Sequence, residues 1–179
     1  MNASENNTEI ADRFAFIAEQ FCTVVESSSG IDRTELPVRI YRILPKLIGE
    51  AINLPEVRLS DDDDPPERPN EHEPPANIRL NDEQWGQLYS LLKEKLEDWD
   101  LHWQAFNPTT DKEAVCGTLA DDFADIYRDL KGGLILNQTR QAPPEEIIWD
   151  WRLLYYAHWG KLAIDALLTI HFRLHQIVE

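Results

Sequence analysis

LADDFADIYRDLKGGL (residues 119–134) and WDWRLLYYAHWGKLAIDAL (residues 149–167) are the two stretches of sequence that decide the fold. In both stretches apolar residues recur every three or four positions, which is the spacing of one face of an α-helix. Both also carry aspartates on or beside that face, and the second carries a histidine. Because an unpaired polar group is costly in an apolar environment, the two stretches predict packed helices with a polar cluster between them.

Helical periodicity extends over most of the remaining chain, and strand alternation is almost absent. Five helices are predicted: from about Thr8 to Ser28, from the N-cap Thr34 through Leu47, from the N-cap Asn81 through Trp103, from the N-cap Thr110 to Lys131, and from Pro143 to about Gln176. Capping-box spacings mark two of these starts, Asn81 with Gln84 and Thr110 with Glu113. Gly132-Gly133 is expected to end the fourth helix.

The fifth predicted helix is apolar on two opposite sides, which is typical of a helix packed between others. One side carries Ile147, Trp151, Leu154, Leu162 and Thr169, and the other carries Trp149, Tyr156, Ala163, Leu167 and Leu174. The expected fold class is therefore all-α: a single bundle of about five helices over residues 1–179, with a long central C-terminal helix.

An acidic, proline-rich loop is predicted after the second helix, over residues 54–80. Between Asp61 and Pro75 the sequence has seven acidic residues and one arginine, with no helical or strand periodicity. Such a segment has too little apolar surface to pack, so it is expected to be mobile. It lacks the alternating ligands and central glycine of an EF-hand calcium loop.

Composition and charge narrow the possible functions. A chain of 179 residues with 42% hydrophobic content can form one core, and its formal net charge is −16. That charge argues against binding to nucleic acid or to an anionic membrane surface, whereas a partner protein with a basic surface would fit. Alternatively, the charge only maintains solubility.

Two distant cysteines and the lack of a signal segment or long apolar run predict a cytoplasmic protein. The oligomeric state stays open.

The candidate site is the polar cluster between the fourth and fifth helices. Projection at about 100° per residue places Asp122 and Asp129 on one border of the fourth helix's apolar stripe, with Asp125 on the same flank. The same projection places His158 and Asp165 at the centre of the first apolar side of the fifth helix. We therefore expect these residues to be buried together across the helix pair.

Three interpretations of this cluster remain open. The cluster could be a buried network that fixes the register of two helices. It could instead hold a divalent metal, with Asp122, Asp125, His158 and Asp165 as ligands, since one imidazole with carboxylates suits hard or borderline cations. The third interpretation is a binding pocket without metal. The Glu-x-x-His pairs of di-iron bundles and the His-Asp doublet of metal-dependent phosphohydrolases are absent.

Two short segments resemble an enzyme motif. Glu94-Lys95-Leu96-Glu97 and Asp122-Phe123-Ala124-Asp125 are similar to the ExxE and ExxD motifs of the all-α nucleoside triphosphate pyrophosphatases of the MazG type. This resemblance implies carboxylates that hold magnesium against phosphates. However, the second segment has aspartate where the family has glutamate, and Glu94 and Glu97 project away from the apolar stripe of their helix.

A second resemblance covers most of the chain, from about Phe14 to His175. Its segments are Phe21-Cys22, Asn107-Pro108, residues 121–134, and His158-Trp159-Gly160 with Ala166-Leu167. They resemble the bacterial family described as domain of unknown function 5063. The resemblance implies a single helical domain and supplies no activity, substrate or catalytic residue.

Two classes of function follow from these observations. The preferred hypothesis is a soluble helical partner-binding or regulatory protein without catalysis, because the surface is acidic and no complete catalytic set is present. The alternative is a metal-dependent hydrolase, of the MazG-like or another type, that uses the His/Asp cluster and a divalent metal cofactor.

Overall fold

The structure, a computed structural model, describes residues 3–57, 78–105 and 107–176. In these ranges the chain forms α1 (Ala3–Glu26), α2 (Glu35–Ile52), α3 (Asp82–Leu96), β1 (Leu101–Gln104), β2 (Val115–Thr118), α4 (Leu119–Thr139), α5 (Pro144–Leu154), a π-helical turn (Tyr155–Trp159) and α6 (Gly160–Gln176). Because α5, the π turn and α6 are continuous, the predicted bundle of five helices is confirmed. The acidic part of the predicted loop, within residues 58–77, lies outside the described residues.

The third predicted helix is too long, because the chain changes direction after Leu96. Glu97 has a positive φ of 39°, which ends α3, and a short 3-10 turn leads into β1. β1 pairs with β2 in antiparallel register, with Leu101 opposite Thr118 and His102 opposite Gly117. The capping box at Asn81 and Gln84 is confirmed at the start of α3.

The fourth predicted helix starts too early, because residues 107–118 form the turn and second strand of the hairpin. The side chain of Asn107 accepts the backbone N–H of Thr109 at 3.0 Å, so this region forms a side-chain-stabilised turn. α4 begins at Leu119, where the hydroxyl of Thr118 accepts the N–H of Asp121 at 3.2 Å. A carboxylate oxygen of Asp100 accepts the N–H of Ala120 at 2.9 Å and adds a second cap.

Gly132 and Gly133 do not end α4, which continues to Thr139. A Cβ atom on Gly133 would lie 2.3 Å from Nε1 of Trp151, so only glycine lets the indole approach α4 this closely. The indole is fully buried, and its Nε1 donates a hydrogen bond to the carbonyl of Leu130 at 3.3 Å. The glycine pair is therefore a packing feature in the helix interior.

The π turn separates α5 from α6 and is closed by Gly160, whose N–H donates to the carbonyl of Tyr155. A π turn holds one residue more than an α-helical turn. Residues after it are therefore rotated by about 100° relative to an uninterrupted α-helix. Because of this rotation, the buried residues of α5 and α6 fall on one side: Ile147, Ile148, Trp151, Tyr155, Trp159, Ala163, Ala166 and Ile170.

The expectation of two covered apolar sides is therefore wrong. One side is buried, and Trp149 and Tyr156, from the second predicted side, are exposed. The buried side contacts α1, α2 and α4, so the predicted long C-terminal helix is present, but it packs on the other helices with one side only. α1 packs between α2, α4 and α5, and α3 packs on α4. Apart from Ile78, the buried apolar side chains of the described residues form one cluster. Within the described ranges, no helix has the length and apolar character needed to cross a membrane.

Candidate functional site

The structure brings His158 to the aspartates of α4. Nδ1 of His158 lies 2.6 Å from a carboxylate oxygen of Asp129, and Nε2 lies 3.6 Å from a carboxylate oxygen of Asp125. The contact between the two helices is therefore present as the sequence suggested. His158 is not buried, however, because 40% of its side chain is exposed.

The two aspartates beside His158 differ in their surroundings. Burial raises the pKa of Asp129, and the hydrogen bond from His158 opposes that rise. Asp125 accepts hydrogen bonds from Nε1 of Trp85 at 2.9 Å and from Arg128 at 2.8 Å. The guanidinium of Arg128 also lies over the ring of Trp85, 5.8 Å from its centroid. This site thus ties α3, α4 and the π turn together through paired polar groups.

Asp165 does not join His158, which corrects the sequence projection. Its carboxylate binds the amine of Lys161 at 2.5 Å, and that amine also donates to the side chain of Gln104 at 2.6 Å. The extra residue of the π turn rotates Asp165 away from the position expected for a straight α-helix. Asp165 therefore links α6 to the hairpin.

The second polar contact, between His102 and Asp122, was missed by the sequence reasoning. Both side chains are buried, and Nε2 of His102 lies 3.5 Å from a carboxylate oxygen of Asp122. Among the described residues, neither nitrogen of His102 nor that oxygen of Asp122 has a hydrogen-bond partner of good geometry. The missed signal is the alternation in Leu101-His102-Trp103, in which only the histidine is buried.

Burial sets the protonation state of this pair. It raises the pKa of Asp122 to about 8, and the negative charges of Asp121 and Asp165 act in the same direction. Burial also lowers the pKa of His102, against the charge of Asp165. Near neutral pH the pair therefore consists of a protonated carboxyl group and a neutral imidazole.

The five candidate residues thus divide among three places. His158 lies with Asp125 and Asp129, Asp122 lies with His102, and Asp165 lies with Lys161. Within residues 3–57, 78–105 and 107–176, no group of three or more histidine, cysteine, aspartate or glutamate side chains has a geometry that could hold a metal ion. The structure therefore does not assemble the metal site proposed from Asp122, Asp125, His158 and Asp165.

The carboxylates of the pyrophosphatase-like motif are also separated. Glu94 and Glu97 are exposed on the helix and at its end, and Glu97 pairs with Arg33. Asp122, from the second motif, is buried beside His102. The four carboxylates thus have different partners and environments, and their geometry does not favour a magnesium-phosphate site.

Replacing Asp122 with asparagine is expected to stabilise the protein, and the gain should increase with pH. Between the ordinary aspartate pKa of 3.8 and about 8, folded Asp122 keeps a proton that the unfolded chain has lost. Rising pH therefore favours the unfolded chain through this group, by at most about 1.4 kcal/mol per pH unit.

Urea unfolding of the wild type and Asp122→Asn at pH 5 and pH 8 measures this effect. The exposed Glu94→Gln, which removes the same charge, should show a much smaller pH-dependent difference. An equal gain from Asp122→Asn at both pH values would show that Asp122 is not protonated in the folded protein.

The comparisons with known proteins identify a family and a similar fold. A family model with the description Domain of unknown function (DUF5063) matches residues 5–176. The fold is similar to the crystal structure of protein BF1032 from Bacteroides fragilis, a structural-genomics target, with a TM-score of 0.70 and 19% sequence identity over 88% of this chain and 87% of that chain. At this identity the similarity shows the fold alone. No curated protein matches the chain.

Proposed function

The chain belongs to the family described as Domain of unknown function (DUF5063), and we propose that it is a helical partner-binding protein without catalytic activity. The family description names no reaction. The proposal therefore depends on the surface of the protein, and a single observation carries it: a row of large apolar side chains exposed along the C-terminal helix.

We call this row the α5–α6 stripe. Its six side chains are between 43% and 62% exposed: Trp149, Leu153, Tyr156, Ile164, Leu168 and Phe172. Isolated exposed apolar residues are common on soluble proteins, whereas contiguous apolar rows mark interaction surfaces. The stripe is therefore a candidate docking surface.

The π turn makes the stripe continuous. The stripe residues of α5 are four positions apart, as are those of α6, so each group lies on one side of its helix, and Tyr156 in the π turn follows Leu153 by three positions. Tyr156 and Ile164 are eight positions apart, which would misalign them by about 80° in an uninterrupted α-helix. Because the π turn absorbs one residue, the interval corresponds to about two complete turns, and both halves of the stripe face the same direction.

The proposed occupant is a protein that presents an apolar surface bordered by basic residues. The formal charge of −16 attracts such a partner and repels a second copy of this chain or a nucleic acid. At the N-terminal end of the stripe, Glu56 and Val57 line a pocket with Trp149, Arg152 and Leu153, which adds one acidic side chain beside the apolar row. We propose that this binding takes place in the cytoplasm.

The Asp129–His158–Asp125 contact has a different proposed role, which is to position the π turn against α4. All three side chains are engaged with one another or with neighbouring groups. A paired network of this kind fixes the register of packed helices. It thereby orients the stripe without itself being a binding site.

Site-specific photo-crosslinking in cells tests the docking surface. A photoreactive amino acid at Leu168 is expected to capture one partner with a basic surface, while the same group at the exposed Gln87 on α3 does not. The purified partner should bind with an affinity that falls as salt rises, and Leu168→Asp should weaken binding by about tenfold or more.

Matched controls separate the possible occupants. Gln87→Glu adds the same charge away from the stripe and should leave the affinity nearly unchanged. Crosslinking of Leu168 only to a second copy of the chain would contradict the proposed occupant. Binding that is insensitive to Leu168→Asp would remove the stripe from the interface.

A further inference from the structure

Two histidines lie four positions apart near the end of α6. His171 and His175 are both exposed, and their ring centroids are 4.4 Å apart. Residues at positions i and i+4 of an α-helix lie on the same face, one turn apart. We propose that these two imidazoles form a chelating site for a first-row transition-metal dication such as Cu²⁺, Ni²⁺ or Zn²⁺.

Tyr41 on α2 positions one of the two rings. Its hydroxyl oxygen lies 2.9 Å from Nδ1 of His171, and the two rings are stacked with centroids 6.2 Å apart. When Nδ1–H donates to the tyrosine oxygen, Nε2 of the same imidazole keeps a lone pair for a metal. A hydrogen bond of this kind fixes the ring orientation and the tautomer of metal-binding histidines.

The chemistry of the pair determines which cations it selects. Imidazole nitrogen suits copper, nickel and zinc, whereas calcium and magnesium prefer oxygen ligands. For a nitrogen site the affinity should follow the order in which Cu²⁺ exceeds both Ni²⁺ and Zn²⁺. Two protein ligands leave the other coordination positions to water or to a group from another molecule.

The alternative is an ordinary pair of surface histidines at a helix C-terminus. A cation there is favoured by the helix dipole, so His171 and His175 need no metal to be stable. The two interpretations differ in one measurable respect. Only a chelating pair loses binding completely when either histidine is removed, because a single exposed imidazole cannot chelate.

Calorimetric titration of the untagged protein with Ni²⁺ and Cu²⁺ tests the site. One equivalent of metal is expected to bind, more tightly for Cu²⁺, with an affinity that falls as pH is lowered because protons compete for the imidazoles. His171→Ala and His175→Ala should each abolish this binding. Mg²⁺ and Ca²⁺ should not compete for the site.

Two other histidines serve as matched controls. His158→Gln removes the histidine beside Asp125 and Asp129, and His72→Ala removes the one that the sequence places between Glu71 and Glu73. Both variants should bind metal like the wild type. Binding that is lost with His158→Gln or His72→Ala, and retained with His171→Ala, would overturn the assignment. An absence of stoichiometric Ni²⁺ and Cu²⁺ binding would also overturn it.

Tyr41→Phe tests the positioning role separately. It keeps the aromatic ring and removes the hydrogen bond to Nδ1 of His171. The metal affinity should fall by about tenfold or more, while the circular dichroism spectrum stays unchanged. Wild-type affinity in Tyr41→Phe would show that the tyrosine does not position the ligand, and loss of binding in the histidine variants alone would then define the site.

Discussion

Gly133→Ala is expected to lower the free energy of unfolding by about 3 kcal/mol. The new Cβ would lie 2.3 Å from Nε1 and 2.5 Å from Cε2 of Trp151, and that indole is enclosed by the core and packs on Phe14. Because the indole is a large rigid group, neither side of the contact can yield without opening the packing between α4 and α5. Urea denaturation followed by tryptophan fluorescence measures the loss.

Other glycines in the same fold provide controls. At Gly49 in α2 and Gly86 in α3 an added Cβ atom would meet nothing within 4 Å, so alanine there should be neutral or stabilising by up to about 1 kcal/mol. Gly132→Ala should be tolerated better than Gly133→Ala, because its nearest contact is the flexible side chain of Arg79 at 3.3 Å. Equal losses at Gly132 and Gly133 would contradict the steric explanation.

A double-mutant cycle isolates the contact itself. Trp151→Ala alone should cost about 3 to 5 kcal/mol, because it removes a fully buried indole. In that background Gly133→Ala should cost little, since the group that it would clash with is gone. Additive losses would show that the cost of Gly133→Ala arises elsewhere.

The effect of deleting a single residue is expected to depend on its position. A deletion after the π turn should unfold the protein, whereas a deletion within the π turn should leave it folded. Deletion of Ile164, in α6, rotates all following residues by about 100° and moves Ala166 and Ile170 out of the core. Such a variant should lose more than about 3 kcal/mol of stability. Deletion of the exposed Ala157 instead removes the extra residue of the π turn and leaves the shortened helix without a register error.

Thermal unfolding followed by circular dichroism distinguishes the two deletions. The variant without Ile164 should aggregate or melt without a cooperative transition. The variant without Ala157 needs only to convert a π turn into an α-helical turn, and should melt cooperatively within several degrees of the wild type. Loss of folding in both variants would show that the π turn is required by its own packing as well as by the register.

The same turn shows why the sequence predicted the extent of the C-terminal helix better than its faces. Apolar spacing predicted a helix from Pro143 to about Gln176, and α5 with α6 spans nearly this range. The straight projection, however, assumed 3.6 residues per turn throughout. One extra residue between Tyr155 and Trp159 shifts every later face, so a single buried side resembled two opposite ones.

The hairpin was not predicted from the sequence, and this accounts for the errors in the third and fourth predicted helices. Trp99 and Trp103 have helical spacing, yet Trp103 is 74% exposed on a strand, and tertiary pairing with β2 decides the conformation. For the polar site, the aspartate border of α4 correctly suggested the partner of His158. The position of Asp165 depended on the π turn and that of His102 on the hairpin, and local periodicity shows neither.

Residues 101–118 form a hairpin that starts and ends at nearly the same point of the helical bundle. The carbonyl and the carboxylate of Asp100 accept the N–H groups of Leu119 and Ala120, at 2.8 Å and 2.9 Å. The two ends of the hairpin are thus held together by the cap of α4, whatever the length of chain between them. Because the ends of the hairpin are joined in this way, we expect a change in the length of the exposed turn at residues 109–114 to leave the helical bundle intact.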